Sequence, residues 1–539
     1  MSNDSRREAL KKLAVATGGA ALAGYVPGCT DDRSSAFVED LDLGRQADLT
    51  ISAQDLGRQG DLTIGPPDGV PPDGMLPDGM PPDGMLPDGM PTDQAVPDAS
   101  MTEPDLLPLR GDGSHPFHYI DTIIIVQMEN RSFDHYFGAL RLLEGRLDVD
   151  GLTGQEVNLT AAGLPISPTH LQGNYAVSPD PGHGRQSSLH QWNDGQNDGF
   201  ITDWERRLEP PAEGEPDRLP WVLGYYNRDD LPASYGLADA FTLAHRWHCS
   251  LLGPTWPNRY FSHCASSGGL TSNNGFIDEP TPYLSLAEAG GTYKTYFTSL
   301  FFTLTITSLT DKRAVKLDEF FRDCEQGTLS NVNIVEPSFF ENDDHPPQDV
   351  RNGQAFLATI YEAVRRSPQW NRCLMVVFYD EHGGFHDHVP PPESLGDVRA
   401  AQGFDRLGFR VPGLVIGPLV KRGAVLDTVV EHSSVPSLIS NVFGLPHVNE
   451  RSRLAGDLGD ALDLALVSGS NRPPAPVLPP VLLPEVCIEQ AMHAAMNQPE
   501  LQTWFRQMGM GHHASLPERR RLLRTYLERA HRMGTIRLV

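Results

Sequence analysis

Two hydrophobic runs in this chain stop abruptly in acids. Residues 120–128 (IDTIIIVQM) lead into Glu129 and Asn130, and residues 373–379 (CLMVVFY) lead into Asp380 and Glu381. If the two ends meet, three carboxylates and one amide oxygen share a crevice. Like charges at close range repel strongly unless a cation neutralises them. An all-oxygen ligand set suits one hard or borderline divalent ion, Ca²⁺, Mg²⁺ or Zn²⁺. Either pair alone reads first as a cap on the helix that follows; the same device at two strand ends favours a metal.

A candidate nucleophile lies between these runs. GPTWPNRYF at residues 253–261 reads as a tight turn opening a helix, with Pro257 tolerated in the first turn. Thr255 then falls at the N-cap, where free amides and the helix dipole favour a negative oxygen. A phosphate would be received at the same terminus. A hydroxyl touching a divalent cation there can ionise and attack phosphorus. In isolation Thr255 is only a cap, and the carboxylates are what make it a nucleophile.

Histidines complete the set. His183 lies with His190 around a Gly-rich stretch, and His345 lies in NDDHPP (342–347), a turn-forming loop expected to be exposed. Either can hold a phosphate oxygen, and His345 is the expected proton donor to the leaving alcohol. His382, His386 and His388 either ligate a second metal or orient the acidic loop.

These residues need a frame that brings distant segments together. Helical patterns separate the β-branched runs, as at residues 353–366, where Phe356, Ile360, Tyr361 and Val364 form one apolar face. Strands alternating with helices predict an α/β fold with a mostly parallel central sheet. In such sheets ligands bind beyond the carboxyl ends of the strands, where the acids sit. The aromatic stretch 293–302 (YKTYFTSLFF) reads either as a core strand or as an apolar rim for a lipid.

The catalytic body is expected over residues 114–470. Before it, paired Arg6 and Arg7 ahead of an apolar run mark residues 1–29 as a twin-arginine export signal. VPGC at 26–29 resembles a lipobox, so Cys29 is either lipidated or lies near a simple cleavage site. This makes the product a periplasmic or cell-surface lipoprotein, or a secreted protein, with membrane association through the lipid. Residues 30–113 carry a near-repeat (42–51 and 55–64) and then Pro-Asp-Gly units from 66 to 90. Such a run builds neither ladders nor a core and predicts a disordered tether, with calcium-binding repeats the alternative. After the body come a Pro-rich link (471–484) and a helical segment (485–539), where Leu522, Leu523, Tyr526, Leu527 and Ala530 make a packing face.

Acids outnumber bases by 70 to 43 in the 539 residues, a net charge of -27. That balance excludes a nucleic-acid binder, which needs basic surface to meet phosphates. Cys249 and Cys264 flank Thr255 and could pair in an oxidising compartment.

The ordered set ENRSFDHYFG (129–138), GPTWPNR (253–259), NDDHPP (342–347), DEHGG (380–384) and DHVPPP (387–392) resembles the bacterial phosphoesterase family of phospholipases C and the related acid phosphatase. The resemblance covers about residues 119–444. It implies an alkaline-phosphatase-like core, one essential metal, and phosphoester hydrolysis through a phospho-threonine. By residue it makes Glu129, Asn130, Thr255, Asp380 and Glu381 the metal ligands and Thr255 the nucleophile. His183 and His345 match the histidines around the phosphate, with Arg259 and His382 as further substrate contacts. His382 departs from the Asn of many relatives, and the helical tail departs from the sheet domains of the choline-lipid enzymes. Phosphatidylcholine-like lipids are the leading substrate, with soluble phosphomonoesters second. A lipoprotein that binds phosphate compounds without chemistry is the alternative of another class.

Overall fold

Ile123, Ile124, Ile125 and Val126 are all buried, and their branched side chains pack on both faces of an extended backbone. In the computed structural model, these residues form the strand that carries the first half of the site. Residues 116–539 are described, apart from 212, 340, 470–471, 495–498, 508 and 512–514. The strands of the main sheet are β1 (Thr122–Met128), β2 (Thr242–Leu243), β3 (Tyr293–Phe297), β4 (Ala314–Lys316), β5 (Val332–Val335), β6 (Cys373–Tyr379), β7 (Gly413–Ile416) and β8 (Ala424–Val425). Their order across the sheet is β8-β2-β7-β6-β1-β5-β3-β4. The pairs from β4 through β6 are parallel, and β7 runs against both its neighbours. The chain thus adopts the expected α/β fold with a mostly parallel sheet.

Five helices matter for the site and its support: α1 (Phe133–Phe137), α2 (Arg185–Trp192), α3 (Thr255–Cys264), α4 (Val350–Arg366) and α5 (Leu516–Met533). Asp349 caps α4 by accepting from the Arg351 amide at 3.0 Å. Phe356, Ile360, Tyr361 and Val364 are buried on α4, as their spacing requires.

Aromatic residues 293–302 belong to the core: Tyr293, Tyr296, Phe297, Phe301 and Phe302 are buried, which overturns the lipid-rim reading. The Cys249–Cys264 pairing is also corrected. All five described cysteines are buried free thiols, and burial pushes the thiol pKa of both residues up.

The C-terminal segment docks on the body. Val481–Leu483, within the Pro-rich stretch, forms a parallel pair with Ile536–Leu538. α5 buries Leu522, Leu523, Tyr526 and Ala530, and the Tyr526 hydroxyl donates to Thr359 Oγ1 on α4 at 3.3 Å. Arg519 Nε donates to buried Glu341 at 3.0 Å, tying α5 to the chain just before the 342–347 loop. The expected export signal, Cys29 and the tether lie outside the described residues. Among the described residues no helix is long and apolar enough to cross a membrane.

Candidate active site

β1 and β6 pair in register, with Met128 opposite Tyr379, so the residues that follow leave the sheet side by side. The Asp380 amide donates to the Met128 carbonyl at 3.0 Å. Asp380 Oδ1 accepts from the amides of Asn130 (2.8 Å) and Glu381 (2.7 Å), and Glu381 Oε2 accepts from the Gly383 amide at 2.7 Å. Glu129, Asn130, Asp380 and Glu381 are all fully buried. Asn130 has φ of 59°, a left-handed conformation uncommon for a residue with a Cβ. Gly383 packs against it at φ +64°, and a Cβ there would lie 2.0 Å from the Asn130 carbonyl oxygen. Only glycine fits that turn.

α3 brings Thr255 to this cluster, with one correction to the cap. Pro254 occupies the N-cap and Thr255 is the first helical residue, with no side-chain cap bond. Its Oγ1 instead donates to Glu129 Oε2 at 3.3 Å. One turn along, Arg259 Nε donates to Glu129 Oε1 (2.7 Å), Nη1 to Glu336 Oε2 (3.1 Å) and Nη2 to the Gln127 carbonyl (3.0 Å). The Arg259 side chain is 0% exposed. The substrate contact expected of Arg259 is therefore replaced by a positioning one: the guanidinium orients Glu129 from behind.

The oxygens fit a cation. Asn130 Oδ1, Asp380 Oδ2 and Glu381 Oε1 are buried without a hydrogen-bond partner among the described residues. Buried polar atoms are ordinarily satisfied, and those that are not point to a missing partner. Burial, with Asp380 next, pushes the Glu129 carboxyl well up against the pull of Arg259. Burial raises Asp380 as well, and burial plus Asp380 raises Glu381 well above its ordinary value. Three carboxyls that resist ionising together are relieved by a positive ion. Glu129, Asn130, Thr255, Asp380 and Glu381 are the residues that would hold it.

His183 and His345 come together from distant loops, their rings edge to face with centroids 5.5 Å apart. Asp180 joins them, one ligand atom from each lying within 4.8 Å of the others. The expected exposure of the 342–347 loop is corrected, because Asn342, Asp343, Asp344 and His345 are buried. Arg131 Nε donates to the Asp344 carbonyl (2.8 Å), and the hydroxyls of Tyr136 (3.0 Å) and Tyr379 (2.6 Å) donate to its carboxylate. Burial lowers the His345 pKa to about 4. Its Nδ1 faces the Pro346 carbonyl at 2.5 Å and so carries the proton. Nε2 is then the ring nitrogen left to meet a phosphate oxygen or the leaving alcohol.

His382, His386 and His388 do not gather into a metal site. Burial holds His382 well below its ordinary pKa. Its Nε2 donates to Gln191 Oε1 at 2.7 Å, while its Nδ1, 3.2 Å from Glu381 Oε2, makes no hydrogen bond among the described residues. His388 lies elsewhere, 2.7 Å from Asp134 and 3.3 Å from Asp150.

Four supporting residues escaped the sequence reading. Glu336 follows β5 and repeats the strand-ending-in-acid device; Asp180-Pro-Gly-His183 places an acid three residues before a histidine. Both patterns were visible. Gln191 and His432 had no signal: His432 Nε2 donates to the Asp380 carbonyl at 2.6 Å while its Nδ1 accepts from Trp247 Nε1 at 3.2 Å.

A profile of the phosphoesterase family matches residues 120–446. Non-specific phospholipase C1 of Arabidopsis thaliana is 35% identical over 364 residues, covering 60% of this chain and 67% of that one. Phospholipase C B of Mycobacterium tuberculosis is 29% identical over 443 residues, covering 69% and 84%. Among solved structures, the lipoteichoic acid synthase of Listeria monocytogenes superimposes with a TM-score of 0.31 at 9% identity, over 63% of this chain and 78% of that one. That likeness is too low to bear on activity. Every candidate ligand, the threonine and both clustered histidines fall inside the matched span, and the chain belongs to the phosphoesterase family as a phosphoric ester hydrolase.

Proposed function

We infer that this enzyme is a phospholipase C, cleaving phosphatidylcholine-like lipids to diacylglycerol and a phosphorylated head group with Thr255 as nucleophile. The observation that carries the reading is the Thr255 hydroxyl, 3.3 Å from Glu129 in a nest of buried oxygens that lack partners. A divalent cation bound there would lower the hydroxyl pKa and draw charge from a phosphate oxygen. The hydroxyl proton is aimed at Glu129 Oε2, the acceptor in place to take it. As the Thr255 O–P bond forms, the bond to the leaving alcohol breaks and that oxygen takes up a proton from solvent. Water then cleaves the phospho-threonine, restoring the hydroxyl. Arg259 holds Glu129 in line, and His432 holds the Asp380 backbone through its carbonyl.

The names of the relatives, phospholipases C at 27–35% identity, support the lipid substrate. One observation favours a second reading: burial of residues 293–302 removes the apolar rim that a lipid would use, which suits a soluble phosphomonoester. Phosphocholine release from phosphatidylcholine vesicles, compared with phosphate release from an aryl monoester before and after chelation, decides between them. Faster, chelator-sensitive turnover of the vesicles is expected. Turnover of the monoester alone would refute the lipid substrate, and unaffected turnover after exhaustive chelation would refute the metal. Twin-arginine export with lipidation at Cys29 is a separate proposal, tested by the mass of the mature N-terminus.

A further inference from the structure

Gln191, near the end of α2, is 1% exposed, and its side-chain amide joins the loop before α2 to the turn that follows β6. We propose that Gln191 is a positioning residue for the reaction: through His382 it keeps a proton away from Glu381, so that this carboxylate stays open to a cation. The proposal rests on the reading that the buried oxygens of the site hold such an ion.

The neighbours of Gln191 fix which way its amide faces. Nε2 donates to the Gly182 carbonyl at 2.6 Å and reaches Asp203 Oδ2 at 3.3 Å. A backbone carbonyl only accepts, so the amide nitrogen faces Gly182 and the amide oxygen faces His382. Oε1 in turn only accepts, and at 2.7 Å from His382 Nε2 it places the ring proton on that nitrogen. Burial keeps the ring neutral, which leaves Nδ1 with a lone pair. Phe409, with its centroid 4.5 Å away, and Phe200, edge to face at 6.2 Å, pack against the ring.

His382 Nδ1 lies 3.2 Å from Glu381 Oε2 and makes no hydrogen bond among the described residues. Oε2 accepts from the Gly383 amide at 2.7 Å, and Oε1 has no partner among the described residues. A proton on Nδ1 would bind the carboxylate and compete with a cation for its charge. With the proton on Nε2, two atoms bearing lone pairs stand side by side, and the negative potential at the acidic turn rises. A positive ion relieves that crowding, as it relieves the three carboxyls. The two segments that Gln191 joins are in close contact, since a Cβ on Gly384 would lie 2.6 Å from the Gly182 carbonyl oxygen. The tautomer beside Glu381 is thus set by a neutral amide outside the cluster of candidate ligands.

The test is a double-mutant cycle on cation affinity. The metal-depleted full chain is titrated calorimetrically with zinc, calcium and magnesium in turn, and the ion that wild type binds most tightly is followed. Wild type is compared with Gln191→Met, His382→Ala and the double variant, with thermal melts to confirm folding. Gln191→Met should weaken the ion about 10-fold, as loss of a ligand's supporting partner does. In the His382→Ala background the same substitution should cost less than about 2-fold, because the ring through which Gln191 acts is gone. Gln191→Glu still offers an acceptor to Nε2 and should retain the affinity that Gln191→Met loses. Wild-type affinity in Gln191→Met, or an equal loss in both backgrounds, overturns the proposal and leaves the cation site standing. If either uncharged variant fails to fold, Gln191→Glu decides: retained affinity upholds the tautomer argument, and a loss of about 10-fold overturns it. A folded wild type that takes up none of the three ions removes the cation reading itself, and this proposal with it.

Discussion

Replacing Arg259 with Met separates a positioning role from substrate contact. The guanidinium is wholly buried between Glu129 at 2.7 Å and Glu336 at 3.1 Å, with its third donor on the Gln127 carbonyl. Methionine matches much of its length but leaves two desolvated carboxyls without their cation. Breaking a buried ion pair from one side costs about 3–5 kcal/mol. A body of this size loses roughly 0.9 kcal/mol of stability per degree near its melting point, so Tm should fall by about 3–6 °C. Adding Glu336→Gln should recover part of that fall, because one of the stranded charges is gone. With Glu129 no longer held, cation affinity should drop about 10–100-fold. The guanidinium does not reach solvent, so kcat should fall with KM little changed. Circular dichroism melts, calorimetric cation titration and steady-state kinetics read the three effects. A large rise in KM with unaltered Tm and cation affinity would refute the reasoning, and return Arg259 to the substrate.

Thr255→Ala should leave Tm within about 1 °C and cut turnover by about 10³-fold or more, since the nucleophile of a covalent mechanism has no substitute; near-normal turnover removes the assignment. Gly383→Ala should abolish high-affinity cation binding, because its Cβ would meet the Asn130 carbonyl at 2.0 Å in a left-handed turn, and calorimetry showing wild-type affinity would contradict this. Burial lowers the His388 pKa, but Asp134 and Asp150 overcome that and raise it to about 10. Its stabilising contribution is therefore complete below pH 6.5 and lost as pH rises through about 10. Burial likewise raises Asp134, but His388 and Arg410 outweigh it and bring it down to about 2, so that carboxylate's contribution is lost only as pH falls through about 2. The Tm difference between wild type and His388→Gln should accordingly shrink from pH 6 to pH 10.5, and a constant difference would argue against the charged pairing.

Much of this site was legible because its signals are local. The β-branched run ending in Glu129 and the run ending in Asp380 report burial and its abrupt end within ten residues each. The alternation with helices such as α4 then dictates a parallel sheet, which brings strand ends to one edge. The readings that failed concern environment. Residues 293–302 carry the composition of either a rim or a core strand, and their pairing with β5 made them core. NDDHPP has turn chemistry, but its polar groups are matched from inside by Arg131, Tyr136 and Tyr379, so the loop is buried.

From the order of its amino acids alone, the chain determined its fold class, the candidate oxygen donors and candidate nucleophile, and the family to which it belongs. These follow from short-range patterns of apolarity, charge and turn-forming residues. Only the folded molecule decided which donors remain without partners, that Arg259 stands behind Glu129, and that Asp180 completes a cluster with His183 and His345. Such facts depend on hydrogen bonds between residues as far apart as Asn130 and Asp380, 250 positions along the chain. No local pattern encodes the burial and orientation of side chains that meet only when the sheet closes.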